Sequence, residues 1–141
     1  MKSTQSLYRY AERKRIEVIN YPLPETASMS IDVGNGYIGM DYTRLETEAD
    51  ERVHLAHELG HCTTGAFYSR YARLDIRQRH ENRADKWAIR RLISQEALDD
   101  AVADGHIEIW DLADFFGVTE EFMKKTICLY VNGNIASEIY F

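Results

Sequence analysis

Two histidines four residues apart constrain this chain more than any other feature. His57-Glu58-Leu59-Gly60-His61 lies in a run from Glu46 to Phe67 that carries few helix breakers before Thr63-Thr64-Gly65. On a helix, residues four apart share one face, with Cβ atoms roughly 6 Å apart. That separation lets two imidazoles meet one zinc ion through bonds of about 2 Å. Glu58 lies one step around the helix from His57, where it can reach a water at the ion's open position without being a ligand itself. The pattern is a zinc metalloprotease signature, and this is its mechanics. The same five residues also suit a surface helix that happens to carry histidines. A third ligand and a cleft must come from the rest of the chain.

The spacing predicts a helix beginning near Thr47, with Glu48, Asp50 and Glu51 in its early turns, where acidic groups complement the helix dipole. Val53, Ala56, Leu59 and Gly60 form an apolar track beside the histidines. Gly60 costs roughly 1 kcal/mol of helix propensity against Ala, and close approach of another element would explain it. His54, three before His57, diverges in direction from the pair and is read as a non-ligand. Cys62 points about 100° away from His61 on the helix and is read as a packed small residue.

A second helix, Arg79 to Ile93, offers the missing ligand. Glu81 and Asp85 are four apart and share a face, while Ala84, Trp87, Ala88 and Leu92 form the stripe to be buried. Glu81 would complete a His-His-Glu site that leaves the fourth position to water. Asp85 would accept the spare N–H of a ligand histidine and fix its tautomer. His80 is a rival third ligand, but it points about 100° from Glu81, so one of the two can serve. Between the helices, Thr63 to Gln78 reads as a helix end and a loop near the cleft. Tyr68, Tyr71 and His80 are candidates for stabilising an oxyanion, and packing aromatics with a wet tip is the plainer reading of either tyrosine.

His57-Glu58-Leu59-Gly60-His61 followed by Glu81-Asn82-Arg83-Ala84-Asp85-Lys86-Trp87-Ala88 resembles the ImmA/IrrE family of metallopeptidases, gluzincin-like in its ligand order. The resemblance runs roughly from Ile16 to Tyr130. It implies zinc ligands His57, His61 and Glu81, with Glu58 as catalytic acid/base. It also implies a cytoplasmic bacterial or phage-borne protease that cuts a helix-turn-helix repressor of a phage or mobile element. The chain departs from many members after the second helix, where Leu92-Ile93-Ser94-Gln95 lacks a proline stop. Ser94 can cap the next helix instead. At this length the extra sensory domain that some relatives carry is not expected.

Upstream of the histidines, Thr4 to Ile16 reads as a helix with Leu7, Tyr10, Ala11 and Lys14 on one stripe and Arg9, Arg13 and Arg15 toward water. Ile16 to Tyr21 reads as a strand ended by Pro22 and Pro24. Ser30-Ile31-Asp32-Val33 and Tyr37 to Asp41 flank Gly34-Asn35-Gly36, a hairpin signal. The expected fold is α+β: a small, about three-stranded antiparallel sheet packed on a zincin-like helix pair, then a helical C-terminal region. An open sheet edge beside the metal helix could hold an extended peptide by main-chain hydrogen bonds, unless the chain covers that edge itself.

Composition bounds the rest. At 141 residues and 45% apolar, the chain is expected to form one metallopeptidase domain over residues 1–141. Residues 1–93 would hold the sheet and metal-site helices, and residues 94–141 the helical region. The net charge of −6 argues against binding nucleic acid through bulk electrostatics. No apolar run approaches a membrane span, and Met1 to Ser6 lacks the apolar core of a signal peptide. Cys62 and Cys128 without paired spacing suit reduced thiols in the cytoplasm. A small acidic monomer is the default expectation.

After Ser94 come a helix that Gly105 ends, a segment from Ile107 to Phe116, then Gly117-Val118-Thr119 and Glu120 to Tyr130. Ala113 to Thr119 resembles half of a helix-turn-helix, with Thr119 as N-cap. Glu120 and Glu121 would open the second helix facing phosphates, which disfavours DNA reading. The pair is read as structural. The competing function is a non-enzymatic regulator with a structural or vestigial metal site that binds DNA or a repressor through this tail. A structural zinc would want four closed protein ligands and no carboxylate poised over water.

Overall fold

Helix α1, Thr4–Arg13, starts where the Ser3 side chain accepts from the Ser6 amide at 3.2 Å, a serine N-cap. Leu7 and Ala11 are its buried apolar stripe. It stops short of Ile16 because Arg15 takes a left-handed backbone, φ 58°, and the Ile16 amide folds back onto the Ala11 carbonyl at 2.9 Å. The computed structural model describes residues 3–135. The apolar end of the sequence, Tyr140-Phe141, lies outside the described residues.

Strands β1 (Glu17–Asn20), β2 (Ser28–Ile31) and β3 (Tyr37–Met40) follow. They form a three-stranded sheet in the order β1-β3-β2. β2 and β3 pair antiparallel, as a hairpin should, with Ile31 opposite Tyr37 and Ser28 opposite Met40. β1 pairs parallel to β3, Glu17 opposite Tyr37 and Asn20 opposite Met40, so the sheet is mixed rather than all antiparallel. The cause is the connection after β1. Pro22 and Pro24 lack amides and cannot extend a ladder. The chain instead crosses the end of β3, where the Leu23 amide donates to Asp41 Oδ2 at 2.9 Å and the Asp41 amide to the Ala27 carbonyl at 2.8 Å. β2 is thereby delivered to the far edge. Ile38 and Met40 point inward and are fully buried.

Helices α2 (Glu48–Thr64) and α3 (Leu74–Leu92) form the central pair. α2 packs on α3, on β2 and β3, and on α1. Leu55, Ala56 and Leu59 on α2 meet Ala88, Ile89 and Leu92 on α3 in the core. Full burial of one leucine contributes about 1.5–3 kcal/mol. The two helices approach closely at Gly60. A Cβ there would stand 2.5 Å from the Ala84 carbonyl oxygen and 3.0 Å from Ala84 Cα. The glycine that weakens α2 locally is what lets α3 lie against it.

Helices α4 (Gln95–Ala103), α5 (Ile109–Phe116) and α6 (Glu120–Asn132) complete the described chain. Ser94 and Thr119 cap α4 and α6 by accepting from the Ala97 and Phe122 amides. The expected α+β class with a helical C-terminal region is therefore present. Arg52 of α2, only 4% exposed, fastens that region to the rest. Its Nη1 donates to the Gly117 carbonyl at 2.8 Å, its Nε to Thr4 Oγ1 at 3.0 Å, and its Nη2 to Glu48 at 3.1 Å.

Candidate metal centre

The site is built where α2 ends and α3 crosses it. Thr47 caps α2 by accepting from the Asp50 amide at 3.1 Å. At the other end Gly65 takes φ 69°, and the chain turns back so that Ala66 presents its carbonyl to His61 Nδ1 at 2.6 Å. α3 begins at Leu74 rather than Arg79, without a side-chain cap. It places Glu81 and Asp85 one turn apart on either side of Ala84, the residue in contact with Gly60.

His57, His61 and Glu81 come together. His57 Nε2 stands 3.1 Å from His61 Nε2 and 2.7 Å from Glu81 Oε2, and His61 Nε2 stands 3.3 Å from the same oxygen. The other side of each imidazole explains what this cluster needs. The Ala66 carbonyl can only accept, so His61 Nδ1 carries a proton. Asp85 Oδ1 lies 2.7 Å from His57 Nδ1, and a carboxylate likewise accepts. In the neutral tautomers so set, both Nε2 atoms direct lone pairs at each other and at the Glu81 carboxylate. Three acceptors converging on one point repel unless a proton or a metal ion lies among them. Two imidazole nitrogens and a carboxylate oxygen suit zinc, with a fourth position left open.

The charge balance of the metal-free cluster has the same origin. Burial opposes a charged His57, but its hydrogen bonds to Asp85 and Glu81 outweigh burial and push its pKa up to about 10. Burial also opposes a charged His61, and its hydrogen bond to Glu81 outweighs that, so its pKa is raised. Burial would raise the Glu81 and Asp85 carboxyls, yet the hydrogen bonds with His57, and with His61 and Tyr68 at Glu81, hold both low. Lys125 of α6 adds to this, with Nζ 3.2 Å from Asp85 Oδ2.

Glu58 is 6% exposed and lines the same cleft as the two histidines and Glu81. The cleft encloses about 430 Å³ and is bordered by Ser28, Met29 and Ser30 of β2. Glu58 Oε2 accepts from Ser28 Oγ at 2.7 Å, and Ser28 Oγ lies 2.9 Å from His54 Nδ1. Burial lowers the His54 pKa. His54 is outside the group formed by His57, His61 and Glu81.

The remaining expected residues separate. Tyr68 lines the cleft, but its hydroxyl donates to Glu81 Oε1 at 2.6 Å, bracing the carboxylate. Tyr71 is 79% exposed and accepts from Arg70 Nη2 at 2.6 Å, away from the cluster. His80 stacks on Tyr68 with centroids 6.1 Å apart and is outside the ligand group of His57, His61 and Glu81. Cys62 packs against the β2–β3 turn, where a Cβ on Gly36 (φ 116°) would stand 2.6 Å from its Sγ. Burial pushes the Cys62 thiol up to about 12, which suits packing rather than ligation. Ser28 and Lys125 were not legible from spacing, because both arrive from other elements.

Residues 11–127 match the Peptidase_M78 family, described as IrrE N-terminal-like domain. No curated protein and no solved structure matches.

Proposed function

Because the chain belongs to the IrrE N-terminal-like family of metallopeptidases, we propose that it is a zinc-dependent endopeptidase that hydrolyses a peptide bond in a protein substrate. The observation that carries this is the convergence of His57 Nε2, His61 Nε2 and Glu81 Oε2 with Glu58 beside them in an open cleft. Held by His57, His61 and Glu81, a zinc ion would supply Lewis acidity toward the scissile carbonyl and would lower the pKa of water toward about 7.

The chain's own residues do the rest. Glu58 accepts the proton of the attacking water and delivers it to the leaving amine. Asp85 keeps His57 in the tautomer that leaves Nε2 free to ligate, and Ala66 does so for His61. Tyr68 steadies Glu81, and it is the one of the three oxyanion candidates that lines the cleft. β2 is an edge strand of the sheet and borders the cleft, so its outward amides and carbonyls can hold an extended peptide.

The resemblance of the His57–His61 and Glu81–Ala88 motifs to the ImmA/IrrE family supports a finer reading. The substrate is a helix-turn-helix transcriptional repressor of a phage or mobile element, met in the cytoplasm. No helix among the described residues is long and apolar enough to cross a membrane. The regulator reading draws less support: α6 opens with Glu120 and Glu121, and its turn is fastened to Arg52. The test is co-expression with a repressor encoded beside the gene, with cleavage followed by mass and zinc measured in the same preparation. Cleavage lost in Glu58→Gln with zinc retained is the expected result. Cleavage by Glu58→Gln at the parent rate would overturn the role of Glu58.

A further inference from the structure

We propose that Ser28 and His54 are positioning residues that hold the carboxylate of Glu58 in one orientation, with Oε2 tethered and Oε1 left to act on water. This rests on the reading of Glu58 as the general base. Ser28 Oγ lies 2.7 Å from Glu58 Oε2 and 2.9 Å from His54 Nδ1. A serine hydroxyl has one proton, and a carboxylate can only accept. The proton of Ser28 therefore goes to Glu58. His54 must then supply its Nδ1–H to Ser28, and its Nε2 is left unprotonated. The three groups form a directed chain, His54 to Ser28 to Glu58, whose polarity is set at the carboxylate end.

The chain joins the two structures the reaction needs. Ser28 is the first residue of β2, the edge strand bordering the cleft. Its backbone is in register with Met40 of the central strand, and the residue is 5% exposed. His54 stands one turn before Glu58 on α2, so its ring reaches the same point that Ser28 approaches from the sheet. A glutamate has three side-chain torsions, and without a tether its carboxylate would sample several orientations. A base displaced by about 1 Å loses up to about 100-fold in rate. Ser28 removes that freedom while tying the base to the strand beside the substrate path.

The test uses the full chain loaded with zinc, dye-labelled casein as the cleavage probe, and ring-nitrogen NMR of the histidines. Ser28→Ala and His54→Leu should lower turnover about 10- to 100-fold with KM and zinc content unchanged. Ser28→Thr and His54→Asn, which keep a hydroxyl and an N–H donor at the same places, should recover most of it. In the parent protein His54 should be the Nδ1–H tautomer, and Ser28→Ala should abolish that preference. Parent-level turnover in Ser28→Ala, or an Nε2–H tautomer of His54 in the parent, would overturn the proposal. Glu58→Gln separates the two levels. If it is inactive while Ser28→Ala is fully active, the base stands and the tether fails. If it is active, the base itself is misassigned, and the tautomer measurement still decides whether the hydrogen-bond chain exists.

Discussion

Lys125 Nζ lies 3.2 Å from one oxygen of Asp85, and the other oxygen of that carboxylate lies 2.7 Å from His57 Nδ1. A residue of the last described helix thus reaches the metal-site histidine through one intermediate. Removing the acceptor should free the His57 ring to rotate and change tautomer. Asp85→Ala is expected to weaken zinc binding by about 10–100-fold. Lys125→Met should cost less, roughly severalfold, because this partly exposed lysine acts only through Asp85. Competition titration with a chromophoric chelator measures both. Equal affinity in Asp85→Ala and the parent would contradict the role given to Asp85.

Gly60→Ala sets two effects against each other. Alanine improves helix propensity by about 1 kcal/mol. Its Cβ would meet Ala84 backbone at 2.5 Å, and that atom cannot swing aside as a side-chain end could. Overpacking of this kind costs about 1–3 kcal/mol, so net destabilisation is expected by urea unfolding. Because Ala84 lies between Glu81 and Asp85, zinc affinity should fall as well. A more stable variant with unchanged zinc affinity would show that the helices do not need this contact.

Arg52→Met removes a buried cation whose donors serve Gly117, Thr4 and Glu48. The Gly117 carbonyl and the buried Thr4 hydroxyl would each lose a partner. A loss of about 2–4 kcal/mol is expected, read by chemical unfolding of the metal-free chain. The helical C-terminal region should become the first part to exchange its amides.

Protons and metal should compete for the ligand cluster. The His57 pKa is raised to about 10 and that of His61 is raised too. Groups raised on folding contribute stability that is fully present below their unfolded pKa of about 6.5. That stability fades as pH climbs through the folded value. The lowered carboxyls of Glu81 and Asp85 contribute above their unfolded values near 4, and that part is lost as pH falls. The metal-free chain should therefore be most stable near pH 5–6.5 and weaken toward pH 10. Zinc must displace the His57 proton, so binding should release at least one proton at pH 7. Affinity should rise about tenfold per pH unit between pH 7 and 9. Calorimetry in buffers of different ionisation enthalpy measures the release.

The site was legible in sequence where helix geometry alone brings residues together. His57 and His61 share a face whatever surrounds them, and so do Glu81 and Asp85. Thr47, Ser94 and Thr119 mark helix starts because their hydroxyls accept from amides a few residues on. α3 starts earlier than expected because Arg73 caps nothing with its side chain, leaving no signature at that boundary. The parallel pairing of β1 with β3 depends on the path of the chain across Asp41, which alternation of apolar residues does not encode. Ser28 and Lys125 are invisible for the same reason: each acts on the site from an element far away in sequence.

X-ray absorption at the zinc edge of the reconstituted full chain is the most direct test of the metal centre. One zinc per chain is expected, with two imidazole nitrogens and a carboxylate oxygen at about 2.0–2.2 Å and a further light-atom ligand in the fourth position. Glu81→Ala should lose one oxygen from that shell. A sulfur neighbour at about 2.3 Å, or a shell unchanged in Glu81→Ala, would contradict the assignment of His57, His61 and Glu81.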